Sequence, residues 1–170
     1  MNIKYAIASH MRYEMIQEQS LGFLKKHNIP MKDVYIFCSP ESLEEYKSLK
    51  KSWGVNLIRS EGRIKDVRNH IIKYFKSGQK IIELDDDVKD IVKMVPGRKV
   101  SSIDNLSSFI EESFSMLCDN KGLWGINAND NNREGLSRGK DKYGSYSIIN
   151  SFCGYVNDKR ITDSSRERRF

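Results

Sequence analysis

Proline and cysteine are both scarce, with 3 residues of each in 170. The thiols Cys38, Cys118 and Cys153 stand far apart, with no C-x-x-C pair and no cluster of histidines beside them. That spacing argues against a disulfide framework or a zinc centre and reads as reduced, mostly buried cysteines of a cytosolic chain. His10, His27 and His70 are equally dispersed. No apolar run approaches the roughly 18 residues of a spanning helix, and a strand-like segment follows Met1 directly. The expectation is a cytoplasmic protein without membrane anchor or secretory signal. The sequence also has no G-x-G-x-x-G after its first apolar run, and no G-x-x-x-x-G-K-[ST], H-E-x-x-H or G-x-S-x-G anywhere. Dinucleotide, P-loop, zinc-protease and nucleophile-elbow chemistry therefore lack support. Asn105-Leu106-Ser107 matches a glycosylation sequon, which a cytosolic chain does not use.

What is present is the composition of one globular domain, 38% hydrophobic and 31% charged. Lys and Arg number 29 against 23 Asp and Glu, a net of +6. Residues 1–132 carry 20 basic and 18 acidic side chains, whereas residues 133–170 carry 9 and 5. The excess therefore gathers toward the C-terminal part, which suits a polyanionic partner or a basic solubilising face.

Short apolar runs alternate with amphipathic stretches through the first ninety residues. Ile3 to Ala8, Val34 to Cys38, Val55 to Ile58 and Lys80 to Leu84 read as strands, with VYIFC apolar enough to be buried on both faces. Between them, Arg12 to His27 reads as a helix with Ile16, Phe23 and Leu24 inward. Ser39-Pro40-Glu41 opens a second helix as N-cap, first-turn proline and first-turn acid, with Leu43, Tyr46 and Leu49 on one side. Val67, Ile71, Tyr74 and Phe75 mark the inward face of a third, which Gly78 ends. This alternation predicts an α/β fold, a mostly parallel sheet flanked by helices in a single domain. Beyond Asp90, Leu106, Phe109, Ile110 and Leu117 predict another helix, and Leu123 to Ile126 and Tyr146 to Val156 predict strands. Residues 128–143 predict a mobile loop, and Lys159 to Phe170 read as a truncated or partly ordered end.

The chemistry concentrates in Asp85-Asp86-Asp87, directly after the strand Ile81 to Leu84. Three adjacent carboxylates repel one another unless a cation neutralises them. At the carboxyl end of a strand in an open α/β sheet, they can hold a hard divalent cation and, through it, a diphosphate. A solvated acidic turn is the plainer alternative. Ser9, His10 and Arg12 follow the first strand and point at the same sheet edge, although Ser9 could simply cap the first helix. Gly62-Arg63 follow the third strand, and Arg68-Asn69 open the third helix. Arginines there conflict with the helix dipole unless a phosphate or an acidic neighbour, Asp66 or the triplet, resolves the conflict.

Taken in order, A-S-x-x-R (Ala8, Ser9, Arg12), VYIFC, E-G-R-x-x-x-x-R-N (Glu61 to Asn69) and E-L-D-D-D-V (from Glu83) resemble GT-A glycosyltransferases. More narrowly, the order is similar to the TET/J-base-associated family of phages and kinetoplastids, implicated in sugar transfer to hydroxymethylated pyrimidines in DNA. The resemblance spans about residues 3–95 and continues loosely through Gly125-Ile126-Asn127 and Asn150 to Gly154. It implies a GT-A-like fold with a donor half over residues 1–95 and an acceptor half over 96–170. It also implies a nucleoside-diphosphate sugar of the UDP-glucose type as donor, and Mn²⁺ or Mg²⁺ as cofactor. Donor contacts would fall to Ser9, Arg12, Arg63, Arg68, Asn69, Asp85 and Asp86, and the metal to Asp87 with Asp85. The late acidic residue that such enzymes place near the acceptor has Asp158, Asp163 and Glu167 as candidates, with no motif around them; Asp163 and Glu167 are the candidate catalytic residues. A surface-glycan or small-molecule acceptor and a non-catalytic DNA-binding module stand as alternatives. A nucleotidyltransferase lacks its Gly-rich loop here, and a receiver domain lacks its acidic residues after the first and third strands.

Overall fold

The structure, a computed structural model, describes residues 2–95, 99–117, 122–126 and 151–158. Strands β1 (Ile3–Ser9), β2 (Val34–Cys38), β3 (Asn56–Arg59) and β4 (Lys80–Leu84) form a parallel sheet in the order β3-β2-β1-β4. A hairpin of β5 (Val92–Val95) and β6 (Lys99–Ser102) stands apart as a two-stranded sheet. Strand β7 (Leu123–Gly125) and strand β8 (Phe152–Val156) complete the large sheet on its far side. There β8 runs antiparallel to β4, and β7 antiparallel to β8. The fold is thus α/β with a mostly parallel six-stranded sheet.

Alternation along the strands divides the core. Tyr5 and Ile7 of β1, Val34 and Ile36 of β2 and Ile82 and Leu84 of β4 face one layer. That layer holds α1 (Tyr13–Ile16), α2 (Gly22–Lys26), α3 (Pro40–Trp53) and α5 (Leu106–Ser115). Ala6, Phe37 and Ile81 face the other, where α4 (Ile64–Tyr74) buries Ile71 and Ile72. Helix α3 begins as its sequence requires, with the Ser42 amide donating to the Ser39 hydroxyl and Pro40 in the first turn. Cys38 and Cys153 are both buried, and burial pushes the Cys38 thiol up to about 11.

Several boundaries differ from expectation. The helix expected over Arg12 to His27 is broken by a π turn, Gln17–Leu21, which adds Ser20 and Leu21 to its buried face. Helix α4 stops at Tyr74, before Gly78, and Tyr74 is exposed against Phe37 and Tyr35. Asn157, just past β8, closes that end, its side-chain amide donating to the carbonyls of Ile72, Phe75 and Lys76. Strand β3 is shifted one residue, to Asn56–Arg59. The β5–β6 hairpin had no periodic signal. Residues 128–143, the first part of the segment Tyr146 to Val156, the tail from Lys159, and Cys118 lie outside the described residues. No helix among the described residues is long and apolar enough to cross a membrane.

Candidate functional site

Strand order fixes where a ligand can bind. The chain moves outward from β1 through β2 to β3, then returns to place β4 on the other side of β1. The reversal falls at the carboxyl ends of β1 and β4, and open α/β sheets bind ligands in the crevice outside such a point. Ser9 ends β1, and Asp85 follows the last residue of β4. The aspartate triplet therefore lies at the switch point.

A closed hydrogen-bond circuit joins the two strand ends. Tyr46, fully buried on α3, shares a bond of 2.9 Å with the Ser9 hydroxyl and accepts the Arg12 amide at 2.9 Å. Ser9 donates to Asp86 Oδ2 at 2.7 Å, and the Arg12 guanidinium donates to Asp86 Oδ1 at 3.0 Å. One proton arrangement satisfies every member: Tyr46 donates to Ser9, Ser9 to Asp86, and Arg12 to both Tyr46 and Asp86. Asp86 is consequently buried, with both carboxylate oxygens engaged inside the protein. Ser9 does not cap α1, which has no side-chain cap.

The flanking carboxylates differ from the middle one. Asp87 is half-exposed, with the Arg12 guanidinium 3.5 Å away. Asp85 is partly buried; its amide donates to the Ser151 carbonyl, and Arg68 of α4 lies 3.5 Å from its carboxylate. Burial pushes the Asp85 carboxyl up, Arg68 opposes that, and Asp87 and Asp86 add to it. Asp86 foremost, with Asp87 and Asp85, raises the pKa of Arg12. At the start of α4 the helix dipole meets an acid in the first turn, and one of the two arginines has an acidic partner. Asp66 accepts the Arg63 amide at 2.8 Å, and Arg68 is matched by Asp85. Gly62 has φ +92°, and a β-carbon there would meet Asp66 at 2.5 Å, so this turn requires glycine.

Beside this cluster an open cleft of about 490 Å³ runs along the carboxyl ends of β1 to β3, lined by His10, Ser39, Glu41, Arg59, Glu61 and Gly62. His10 Nδ1 and the Ser39 hydroxyl lie 2.8 Å apart, and Arg59 pairs with Glu61 at 2.6 Å. The backbone amide of Glu41, with the Ser39 hydroxyl, holds the Glu41 carboxyl below its ordinary range.

The structure thus gathers Ser9, Arg12, Arg68, Asp85, Asp86 and Asp87 into one cluster. Arg63 stands exposed at the N-cap of α4, and Asn69 is buried within that helix. Asp158 is half-buried just past β8, while Asp163 and Glu167 lie outside the described residues. Two contributors escaped sequence reasoning. Tyr46 reads as core from its spacing, yet a buried phenol needs a partner for its hydroxyl. Ser20 sits four residues from both Ile16 and Leu24, and a polar residue on an inward face needs a partner too.

Among the described residues no group of three or more His, Cys, Asp or Glu side chains converges as a metal cage. A Mg²⁺-like ion shared with substrate phosphates needs only one or two carboxylates, its other ligands being phosphate oxygens and water. The half-exposed Asp87, supported by Asp85, fits that smaller requirement; Asp86 has no free oxygen for it. Fold and site together define an α/β protein with a polar, charge-compensated crevice at its switch point. No protein-family model matches the chain, and no curated protein matches it.

Proposed function

We propose that this chain is a GT-A-type glycosyltransferase that binds a nucleoside-diphosphate sugar through a divalent cation and passes the sugar to a hydroxyl. The observation that carries the reading is the position of Asp85-Asp86-Asp87. It follows β4 at the switch point, its middle residue locked inward by Ser9 and Arg12 and its outer residues left toward the crevice. The nucleoside would lie in the cleft beside His10 and Ser39. Asp87 and Asp85 would hold Mn²⁺ or Mg²⁺, which when bound neutralises a leaving diphosphate. Arg12 and Arg68, each already paired to the triplet, would turn part of their charge to the phosphates. Arg63, exposed beside the cleft wall, would add a further cation.

The acceptor we favour is a hydroxymethylated pyrimidine in DNA. The support is charge: residues 133–170 carry 9 basic and 5 acidic side chains, among them Arg133, Arg138, Lys140 and Lys142. Asp163 and Glu167 remain the candidate catalytic acids or bases on that side. Calorimetric titration with UDP-sugars, with and without Mn²⁺, tests the donor half of the proposal. Binding that needs Mn²⁺ and is lost in Asp87→Ala is the expected result; metal-independent binding, or none, defeats it. Sugar transfer to hydroxymethylated against unmodified DNA across a salt series tests the acceptor. Turnover indifferent to DNA and salt would favour a glycan or small-molecule acceptor.

A further inference from the structure

Ser20 lies in a part of the chain that departs from α geometry. Residues Gln17–Leu21 form a π turn between α1 and α2, closed by the Gly22 amide donating to the Gln17 carbonyl. Single π turns are rare and gather at functional positions. One inserted residue rotates everything after it by about 100° around the helix axis. Ser20 and Leu21, although adjacent, are in consequence both fully buried. Leu21 joins the core.

Ser20 turns to the aspartates instead. Its hydroxyl donates to the Asp85 carbonyl at 2.7 Å and accepts the Val88 amide at 3.0 Å. The two bonds bracket the triplet, taking the carbonyl of its first residue and the amide just beyond its last. One buried hydroxyl thereby closes the backbone turn from which Asp86 points inward and Asp87 outward. The side-chain circuit of Ser9, Arg12 and Tyr46 holds only Asp86 firmly. Among the described residues Asp87 has a single long contact, to Arg12, and otherwise depends on its backbone for direction.

We infer that Ser20 is a positioning residue for the aspartate turn: it fixes the backbone that aims Asp87, and so governs the metal-dependent part of nucleotide affinity. The first half stands on geometry alone; the second rests on the function proposed above. Ser20→Ala removes both bonds at little change in volume, and Leu21→Val is its control, loosening the adjacent core without touching the turn.

Two measurements separate the halves. Amide hydrogen exchange in the nucleotide-free protein reads the anchoring. Ser20→Ala is expected to speed exchange at Val88 by about tenfold or more, the scale of a lost hydrogen bond, while β2 amides keep their wild-type rates. UDP titration with Mn²⁺ and with EDTA reads the consequence. Ser20→Ala should shrink the gain in affinity that Mn²⁺ brings by about tenfold, with metal-free UDP affinity unchanged. Leu21→Val should keep that gain. Wild-type exchange at Val88 in Ser20→Ala overturns the anchoring. An unchanged Mn²⁺ gain in Ser20→Ala, or an equal loss in Leu21→Val, overturns the positioning role. Wild-type protein that shows no Mn²⁺-dependent UDP binding overturns the functional reading and the second half with it, and exchange at Val88 still decides the first.

Discussion

Ser9 donates its hydroxyl to Asp86 at 2.7 Å, joining the end of β1 to the middle of the aspartate triplet. The bond assigns unequal work to three identical side chains. Asp86 is buried with two partners, whereas Asp87 is half-exposed at a long distance from Arg12. Asp86→Ala would strand the Ser9 hydroxyl and half the Arg12 contact, and is expected to cost about 1.5–3 kcal/mol. Asp87→Ala relieves repulsion and should change stability by less than about 0.5 kcal/mol. Urea unfolding of both variants checks the contrast; equal losses would refute the division of labour.

Asp85 carries a pH signature of opposite sign to an ordinary paired carboxylate. Burial raises its pKa in the folded state, so the native protein holds this proton more tightly than the unfolded chain. Its contribution favours folding below the unfolded value and is lost as pH rises through the raised one. Asp85→Asn should therefore melt at or above the wild-type temperature at neutral pH, and the advantage should vanish near pH 3. A variant less stable than wild type at pH 7 would show that the Arg68 pair outweighs burial.

His27 acts in the acid direction. Burial foremost, then the charge of Lys26, lowers its pKa, with Asp90 opposing, and its buried Nε2 has no hydrogen-bond partner among the described residues. The folded state disfavours the protonated ring, so stability is complete above the ordinary histidine value of about 6.5 and falls as pH drops below it. Melting curves between pH 5 and 8 should show this fall in wild type and a shallower one in His27→Gln. Parallel curves would assign the acid limb to another group.

Asn157 is buried, and its side-chain amide faces three backbone carbonyls at the end of α4. Asn157→Ala should cost about 1–3 kcal/mol, the penalty for leaving buried polar groups unpaired. Asn157→Asp should be worse at neutral pH, because a carboxylate would oppose those carbonyls, and should improve in acid as the carboxyl regains a proton to donate. Stability of the two variants across pH measures the difference; an aspartate variant better than alanine at pH 7 would contradict the geometry.

Legibility in the sequence followed periodicity. VYIFC and KIIEL matched β2 and β4 residue for residue because a short, predominantly apolar run between polar turns leaves a strand few registers. Ser39-Pro40 placed the start of α3 because cap chemistry is local. The end of α4 was misread because the group that closes it, Asn157, lies over eighty residues away in sequence. The π turn was missed for a related reason: an inserted residue looks like helical pattern out of phase, and only its packed partners reveal it. For the candidate site, the residue types and the strand ends that bear them were readable. The inward turn of Asp86 was not, since it depends on Tyr46 and Ser9 meeting from separate elements.

Strand β8 covers the outer edge of β4, pairing residues 152–156 with residues 80–84, and the Ser151 carbonyl receives the Asp85 amide. A ribosome making this chain delivers β4 long before the strand that covers its edge. Through that interval β4 presents Ile81, Ile82 and Leu84 on an open strand edge, the arrangement most apt to recruit another chain. Stop codons placed within β8 should consequently send the product into inclusion bodies, where a stop just before the β5–β6 hairpin would do the same, because in both cases the edge is never sealed.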